Sequence, residues 1–311
     1  MSGRALVTGV LGCLGAWTAR ALLEEGVDVV GFDLGDTRHR LELVLGDDAA
    51  RVDVVRGDIT DKAALERVLD EHAITRVVHL AALQIPFCRD DPTLGARVNV
   101  VGTMNVLAAV SARLDRIPGV AYASSVAVYG PDEPSPAPES GGGWPATHYG
   151  VFKLANEGNA RIAWADADVP SIGIRPYVVY GPGRDQGMTS GPTLAMAAAA
   201  RGEAFTIGYG GVAQYDFARD VGLAFARASA VVHERAVVAN FPGAAASIEE
   251  VVAAIEAAAP AVRGQIRWES LPLAIPARLE ATALEAVLGP LPRTSLLDGV
   301  AETVAVFRRS G

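Results

Sequence analysis

Three side chains in the middle of the chain could together move a proton and steer a hydroxyl. Tyr149 and Lys153 stand four residues apart in a helical pattern, which puts both on one face, one turn from each other. A free tyrosine titrates near ~10 and is a poor base at neutral pH. A neighbouring ammonium favours the phenolate and draws that pKa down. Ser125 ends an apolar run upstream, and its hydroxyl could hold a substrate oxygen while the phenol takes the proton. The pattern predicts acid/base work on a hydroxyl, with Ser125, Tyr149 and Lys153 as the catalytic set.

The elements that must position them begin at the N-terminus. Arg4–Thr8 reads as a buried strand, followed by Thr8-Gly9-Val10-Leu11-Gly12-Cys13-Leu14-Gly15 and a helical pattern that Gly26 stops. Val27–Phe32 is a second strand, closed by Asp33. Strand, glycine turn, helix, strand and acid is the order a dinucleotide site requires. Glycines let backbone approach a pyrophosphate, and the helix N-terminus offers free N–H groups. Gly9, Leu11, Gly12, Cys13, Leu14 and Gly15 are therefore assigned to a cofactor, with Asp33 on its adenosine ribose. An acid there repels a 2′-phosphate, which favours NAD, while Arg38 and Arg40 keep NADP open. Asp58 and Ile59, after the strand Val52–Arg56, suit the adenine. Leu80, Ala81 and Ala82, after the strand Thr75–Leu80, leave room for the cofactor.

The alternation continues with Thr60 as N-cap of a helix over Ala63–His72, and a long helix from about Thr93 to Leu114 that carries Asn99. Val120–Ser124 is a further strand, so Ser125 falls at a strand's carboxyl end, where ligands bind in open α/β sheets. His79 reads as a packed strand-end histidine. Pro131–Pro145 is a loop over the site, and the helix from His148 to about Asp166 presents the Tyr/Lys pair. Ser171–Tyr180 gives another strand. Beyond it the rhythm breaks: helix Thr193–Arg201, short strands Phe205–Ile207 and Val212–Phe217, helix Asp220–Val232, a strand Ala236–Phe241 returning to the first sheet, helix Ser247–Ala259, strand Gln265–Trp268 and terminal helices. The reading is an α/β protein: a Rossmann-type doubly wound parallel sheet over residues 1–182, with a smaller interleaved C-terminal substrate lobe, mainly 183–311. Candidate substrate contacts are Gln84, Phe87, Cys88, Ser125, Tyr149, Tyr177, Thr189, Ser190 and Gln214.

Composition narrows the partners. The net charge is −9, which disfavours nucleic acid and anionic membranes. Cys13 and Cys88 cannot build a disulfide framework or a thiolate zinc site, and no clustered His, Asp and Glu spacing suggests another metal. No signal peptide or bilayer-spanning run is read, so a cytoplasmic protein is expected.

The ordered set from Thr8 to Pro182 resembles the extended short-chain dehydrogenase/reductase superfamily, in its NAD-dependent epimerase/dehydratase branch. The residues carrying the resemblance are the glycine turn, Asp33, Asp58-Ile59, His79-x-Ala81-Ala82, Asn99, Ser124-Ser125, Tyr149-x-x-x-Lys153, Arg175-Pro176 and Tyr180-Gly181-Pro182-Gly183. It implies Tyr149 as acid/base, Lys153 on the cofactor ribose, Ser125 orienting substrate, Asn99 in the interior helix, and Pro176 and Val178 against the nicotinamide. It also implies a homodimer through the helices of Asn99 and Tyr149. Departures narrow the chemistry: Val126 and Ala127 replace the Asp-Glu of sugar dehydratases. Nucleotide-sugar epimerases place an arginine for the diphosphate where this chain has Ala213 or Gln214, with Arg184 and Arg219 as possible substitutes. A sugar, sugar acid or polyol is expected ahead of a UDP-sugar 4-epimerase substrate. A non-catalytic NAD(H)-sensing protein is the other alternative.

Overall fold

A computed structural model describes residues 3–231 and 235–310. The strands, in chain order, are β1 (Arg4–Thr8), β2 (Asp28–Asp33), β3 (Asp53–Arg56), β4 (Arg76–His79), β5 (Val120–Ala123), β6 (Ser171–Arg175), β7 (Val178–Tyr180), β8 (Phe205–Ile207), β9 (Val212–Phe217), β10 (Ala236–Asn240), β11 (Ala244–Ser247) and β12 (Ile266–Trp268). Seven form one sheet in the order β10-β6-β5-β4-β1-β2-β3. Every pairing in it is parallel. Such strands are covered on both faces, which is why they read as continuous apolar runs rather than alternating ones. Strand order reverses between β1 and β4, and a crevice opens there at the strands' carboxyl ends.

Two apolar clusters cover this sheet. One joins Val7, Val29 and Ile174 to Trp17, Leu22, Val221 and Phe225 on helices Cys13–Glu24 and Ala218–Ala228. The other joins Leu6, Phe32 and Tyr122 to Leu65, Leu69, Val106 and Val110. A third cluster, with Met196, Tyr215, Ile248 and Ile255, belongs to the smaller sheets β11-β9-β7 and β12-β8. The two parts interleave: β7 lies in the smaller sheet, while β10 and the helix Ala218–Ala228 lie with the large one.

Several expected elements differ. The single strand Ser171–Tyr180 is two. Pro176 has no N–H for a ladder, so the chain leaves the large sheet there, and the N–H of Tyr177 donates to Asp216 Oδ2 at 2.6 Å instead. Thr60 does not cap its helix. Asp61 does, accepting from Ala64 N at 3.0 Å, while Thr60 N donates to Asp58. The helix after β9 runs Ala218–Ala228, and its expected end at Val232 lies outside the described residues. A short helix, Ile85–Asp90, precedes the long one.

The long helix spans Pro92–Ser111 and is long and apolar enough by composition to cross a membrane, contrary to the reading that no run is. Its inner face instead packs on the sheet through Val106 and Val110. It widens to π geometry over Arg97–Val101. The Asn99 carbonyl there accepts from both Thr103 Oγ1, at 2.7 Å, and Asn156 Nδ2, at 2.8 Å.

Candidate active site

The crevice is a cavity of about 740 Å³ whose walls run from the glycine turn to Tyr149 and on to the smaller lobe. At one end, Gly9 has φ +69°, a conformation a side chain resists. A Cβ on Gly9 would sit 2.7 Å from Ala81 N, and one on Gly15 would overlap the Gly9 carbonyl. The turn is thus pressed against the Leu80–Ala82 segment and closed onto its own helix. That helix has no acid in its first turn to compete for its free N–H groups. Asp33 accepts from Leu11 N at 3.0 Å and Gly35 N at 3.1 Å, which pins its carboxylate on the cavity wall. These features fit a dinucleotide: backbone donors for a pyrophosphate, then an acid for ribose hydroxyls.

The residues that raised the NADP question are engaged elsewhere. Arg38 donates to the carbonyls of Ala49 and Val52. Arg40 lines the cavity but is ion-paired to Asp185 at 2.8 Å. Asp58, Ile59, Leu80, Ala81 and Ala82 all line the wall. A buried relay holds the last three in place. Thr8 Oγ1 accepts from Leu80 N and Ala81 N and donates to His79 Nδ1 at 2.7 Å. The other ring nitrogen then carries the proton and donates to Thr103 Oγ1 at 3.0 Å. Burial, helped by the Lys153 charge, drops the His79 pKa to about 3, so the ring stays neutral and structural.

At the centre of the cavity, Ser125, Tyr149 and Lys153 all reach the wall. Ser125 starts a turn by accepting from Ala127 N at 3.1 Å. Its hydroxyl lies beside the Tyr149 phenol. Thr147 caps the helix His148–Ala167 and so fixes where Tyr149 begins it. Lys153 is buried and donates to the Ala123 carbonyl at 2.6 Å, with its ammonium 5.5 Å from the Tyr149 ring centre.

The electrostatics correct one expectation. Burial raises the Tyr149 pKa above its ordinary value; the Ser125 hydrogen bond and the Arg184 charge oppose this without overcoming it. Lys153 is not what tunes the phenol here. Burial lowers its own pKa to about 8.

Beneath the triad, Glu157 lies one turn past Lys153. It forms a buried ion pair with Arg175 at 2.6 Å and accepts from the Ser124 hydroxyl. Arg175 in turn donates to the Tyr129 hydroxyl at 2.8 Å. The network ties the ends of β5 and β6 to the catalytic helix. Glu157 belongs to none of the motifs read from the sequence; its i, i+4 step from Lys153 is the signal that could have found it.

Other predicted residues divide. Gln84, Phe87, Tyr177, Thr189, Pro176 and Val178 line the cavity. Asn99 does not. Its amide donates to and accepts from the Leu83 backbone, and it shapes the wall from behind, together with Cys88. Ser190 bonds the Gly187 carbonyl instead. Gln214 is buried in β9 against Asp216 and the Phe241 carbonyl. Arg219 pairs with Glu302 at 2.8 Å, outside the cavity wall, whereas Arg184 is on it. Leu273, Ala274 and Ile275 also line the cavity; they come from an irregular run with no periodicity to reveal them.

Comparisons with known proteins agree with this geometry. The NAD dependent epimerase/dehydratase family matches residues 5–239. A UDP-glucose 4-epimerase of Mycolicibacterium smegmatis is 31% identical over 319 residues, 98% of each chain. A D-erythronate dehydrogenase of Cupriavidus necator is 35% identical over 182 residues, 55% of this chain and 56% of its own. The solved UDP-glucose 4-epimerase of Thermus thermophilus, in complex with NAD, superposes with a TM-score of 0.80 at 25% identity, covering 98% of this chain and 99% of its own.

Proposed function

This chain belongs to the NAD-dependent epimerase/dehydratase family and is an NAD-using enzyme, and on that premise we propose that it oxidises a hydroxyl-bearing carbon of a sugar, sugar acid or polyol, with Tyr149 as the acid/base. The observation that carries this reading is that Ser125, Tyr149 and Lys153 share one cavity with the glycine turn and Asp33.

NAD, held by the glycine turn, Asp33 and the Leu80–Ala82 wall, supplies when bound a nicotinamide that accepts hydride from the carbinol carbon. The chain's own residues handle the oxygen. Ser125 holds it, and Tyr149 takes the hydroxyl proton. In the reverse direction the protonated phenol returns it, which its raised pKa favours at neutral pH. A ketone that leaves makes the enzyme a dehydrogenase; one that turns and takes hydride back on its other face makes it an epimerase.

Replacing Tyr149 by Phe keeps the ring and removes the proton carrier. Turnover falls by about 1000-fold or more while NAD affinity stays near wild type. Wild-type turnover by Tyr149→Phe on a panel of sugars, sugar acids, polyols and nucleotide sugars would sink the assignment. The end-to-end match to a UDP-glucose 4-epimerase favours a second reading, a nucleotide-sugar 4-epimerase. That reading requires an isomeric product with no net reduction of added NAD.

We also infer a homodimer. Leu94, Val101 and Met104 on one long helix, and Val151 and Ile162 on the catalytic one, are exposed apolar side chains on the two helices that the family pairs. Light scattering at the monomer mass would refute it. A cytoplasmic location is inferred from two free cysteines and is tested by thiol labelling in intact cells.

A further inference from the structure

Two arginines line the cavity, and Arg40 holds Asp185; beyond the wall, Arg175 holds Glu157 and Arg219 holds Glu302. Arg184 is the exception. It lines the same cavity as Tyr149, and its sequence neighbour Asp185 is turned to Arg40 and His39. Among the described residues Arg184 has no carboxylate partner. Its Nε is buried without any acceptor, and its Nη2 meets only Thr189 Oγ1, at a long 3.3 Å. A buried guanidinium donor left unpaired is costly and demands an explanation.

Gln84 carries the complementary irregularity. Its Oε1 is also buried and unpartnered on the cavity wall. The two side chains converge on Gly187, which has φ +100°. A Cβ there would overlap Gln84 Oε1 and lie 3.1 Å from Arg184 Nη2. Glycine at 187 therefore leaves space for a free donor fork beside a free carbonyl. The neighbouring substrate-side wall, from Phe87, Tyr177, Met188, Leu273 and Ile275, supplies no other charge.

We propose that Arg184 and Gln84 form a subsite for a carboxylate and an adjacent hydroxyl, so that the substrate is a sugar acid rather than a neutral sugar, a polyol or a nucleotide sugar. A guanidinium fork matches a carboxylate with two parallel hydrogen bonds. The Gln84 carbonyl accepts from a hydroxyl, which a sugar acid provides next to its acid group. The inference rests on the reading that Tyr149 acts on a carbohydrate hydroxyl and names the class of that substrate. One rival anion is the cofactor's own pyrophosphate, because the Arg184 charge is also felt at Cys13 in the glycine turn.

The test compares wild type with Arg184→Met, Arg184→Lys and Gln84→Leu, each saturated with NAD. The probes are gluconate and threonate, their matching alditols and aldoses, glucose 6-phosphate and UDP-glucose. Wild type should prefer the aldonates over the alditols by about 100-fold in kcat/KM. Arg184→Met should lose about 100-fold on aldonates, mainly through KM, and Arg184→Lys should recover part of it. Gln84→Leu should lose about 10-fold. NAD affinity, measured separately by titration, should stay within about twofold in all three.

A fall in NAD affinity that accounts for the lost activity would give Arg184 to the cofactor and overturn the subsite. So would a preference for the phosphate, the nucleotide sugar or the neutral compounds, each of which leaves the Tyr149 reading standing. No turnover of any probe by wild type would remove the underlying reading and this one with it.

Discussion

At the cofactor end of the cavity the wall is built from the turns that follow neighbouring strands of one sheet: Gly9 to Gly15, Asp33, Asp58-Ile59 and Leu80 to Ala82. At the substrate end it is drawn from separated segments, around Gln84, Thr147, Arg184–Thr189 and Leu273–Ile275. At the first end the glycine turn acts through its backbone. Its constraints are a positive φ and close approaches that exclude a Cβ. The second is made of side chains whose placement depends on packing between the large sheet and the smaller lobe. Backbone cradles bind what many enzymes share, and loop side chains select what one enzyme acts on.

The ion pair beneath the triad, which ties the ends of β5 and β6 to the catalytic helix, should give the largest effect when cut. Glu157→Leu leaves the Arg175 guanidinium buried and unpaired, and should destabilise the fold by about 3–5 kcal/mol in chemical denaturation. An effect below about 1 kcal/mol would mean the network is not what ties the ends together.

Lys153 offers a pH test of the centre. Its folded pKa, about 8, lies below the ordinary lysine value, so between pH 8 and 10 the unfolded chain binds a proton that the folded chain lacks. Stability therefore rises with pH across that window, by up to ~1 kcal/mol per pH unit. Below pH 8 both states are protonated and the slope vanishes. Denaturation midpoints of wild type and Lys153→Met should diverge only in that window, and parallel curves would contradict the burial of the amine.

Two glycine substitutions sharpen the contrast. Gly15→Ala drives a methyl into the Gly9 carbonyl and should cost about 1–3 kcal/mol together with most NAD binding. Gly187→Ala strains the backbone at φ +100° and meets the end of a flexible Gln84 side chain, so it should cost about 1 kcal/mol or more of stability while NAD affinity holds and substrate KM rises by about 10-fold. Equal losses of NAD affinity in both variants would erase the distinction between the ends. The smallest effect is expected from Asp33→Asn, which keeps the Leu11 contact and removes the charge. It should narrow the NAD over NADP preference by about 10-fold in paired titrations.

The same contrast explains what could be read in advance. β1 appears with the expected bounds, and the other strands of the large sheet except β6 within a residue or two, because buried parallel strands leave unbroken apolar runs; β8 and β9 of the smaller sheets also have the expected bounds. The Ser171–Tyr180 segment misled because an apolar run does not say which sheet it joins. Asn99 and Gln214 are polar residues whose partners, Leu83 and Phe241, are 16 and 27 residues away, and nothing local distinguishes them from ligand contacts.

From its residues alone the chain specifies the dinucleotide turn, the acid that closes it, and a tyrosine and lysine on one helical face. The turn and the Tyr/Lys pair depend on positions a few residues apart, where covalent geometry sets the distance, and the acid on the strand–helix–strand order that brings Asp33 back to Leu11. Folding decided the rest: that desolvation outweighs the Ser125 hydrogen bond and the Arg184 charge at Tyr149, that Arg38 and Arg219 turn away, and that Arg184 and Gln84 meet over a glycine. Those outcomes depend on burial and on contacts between remote segments, which only the packed protein sets.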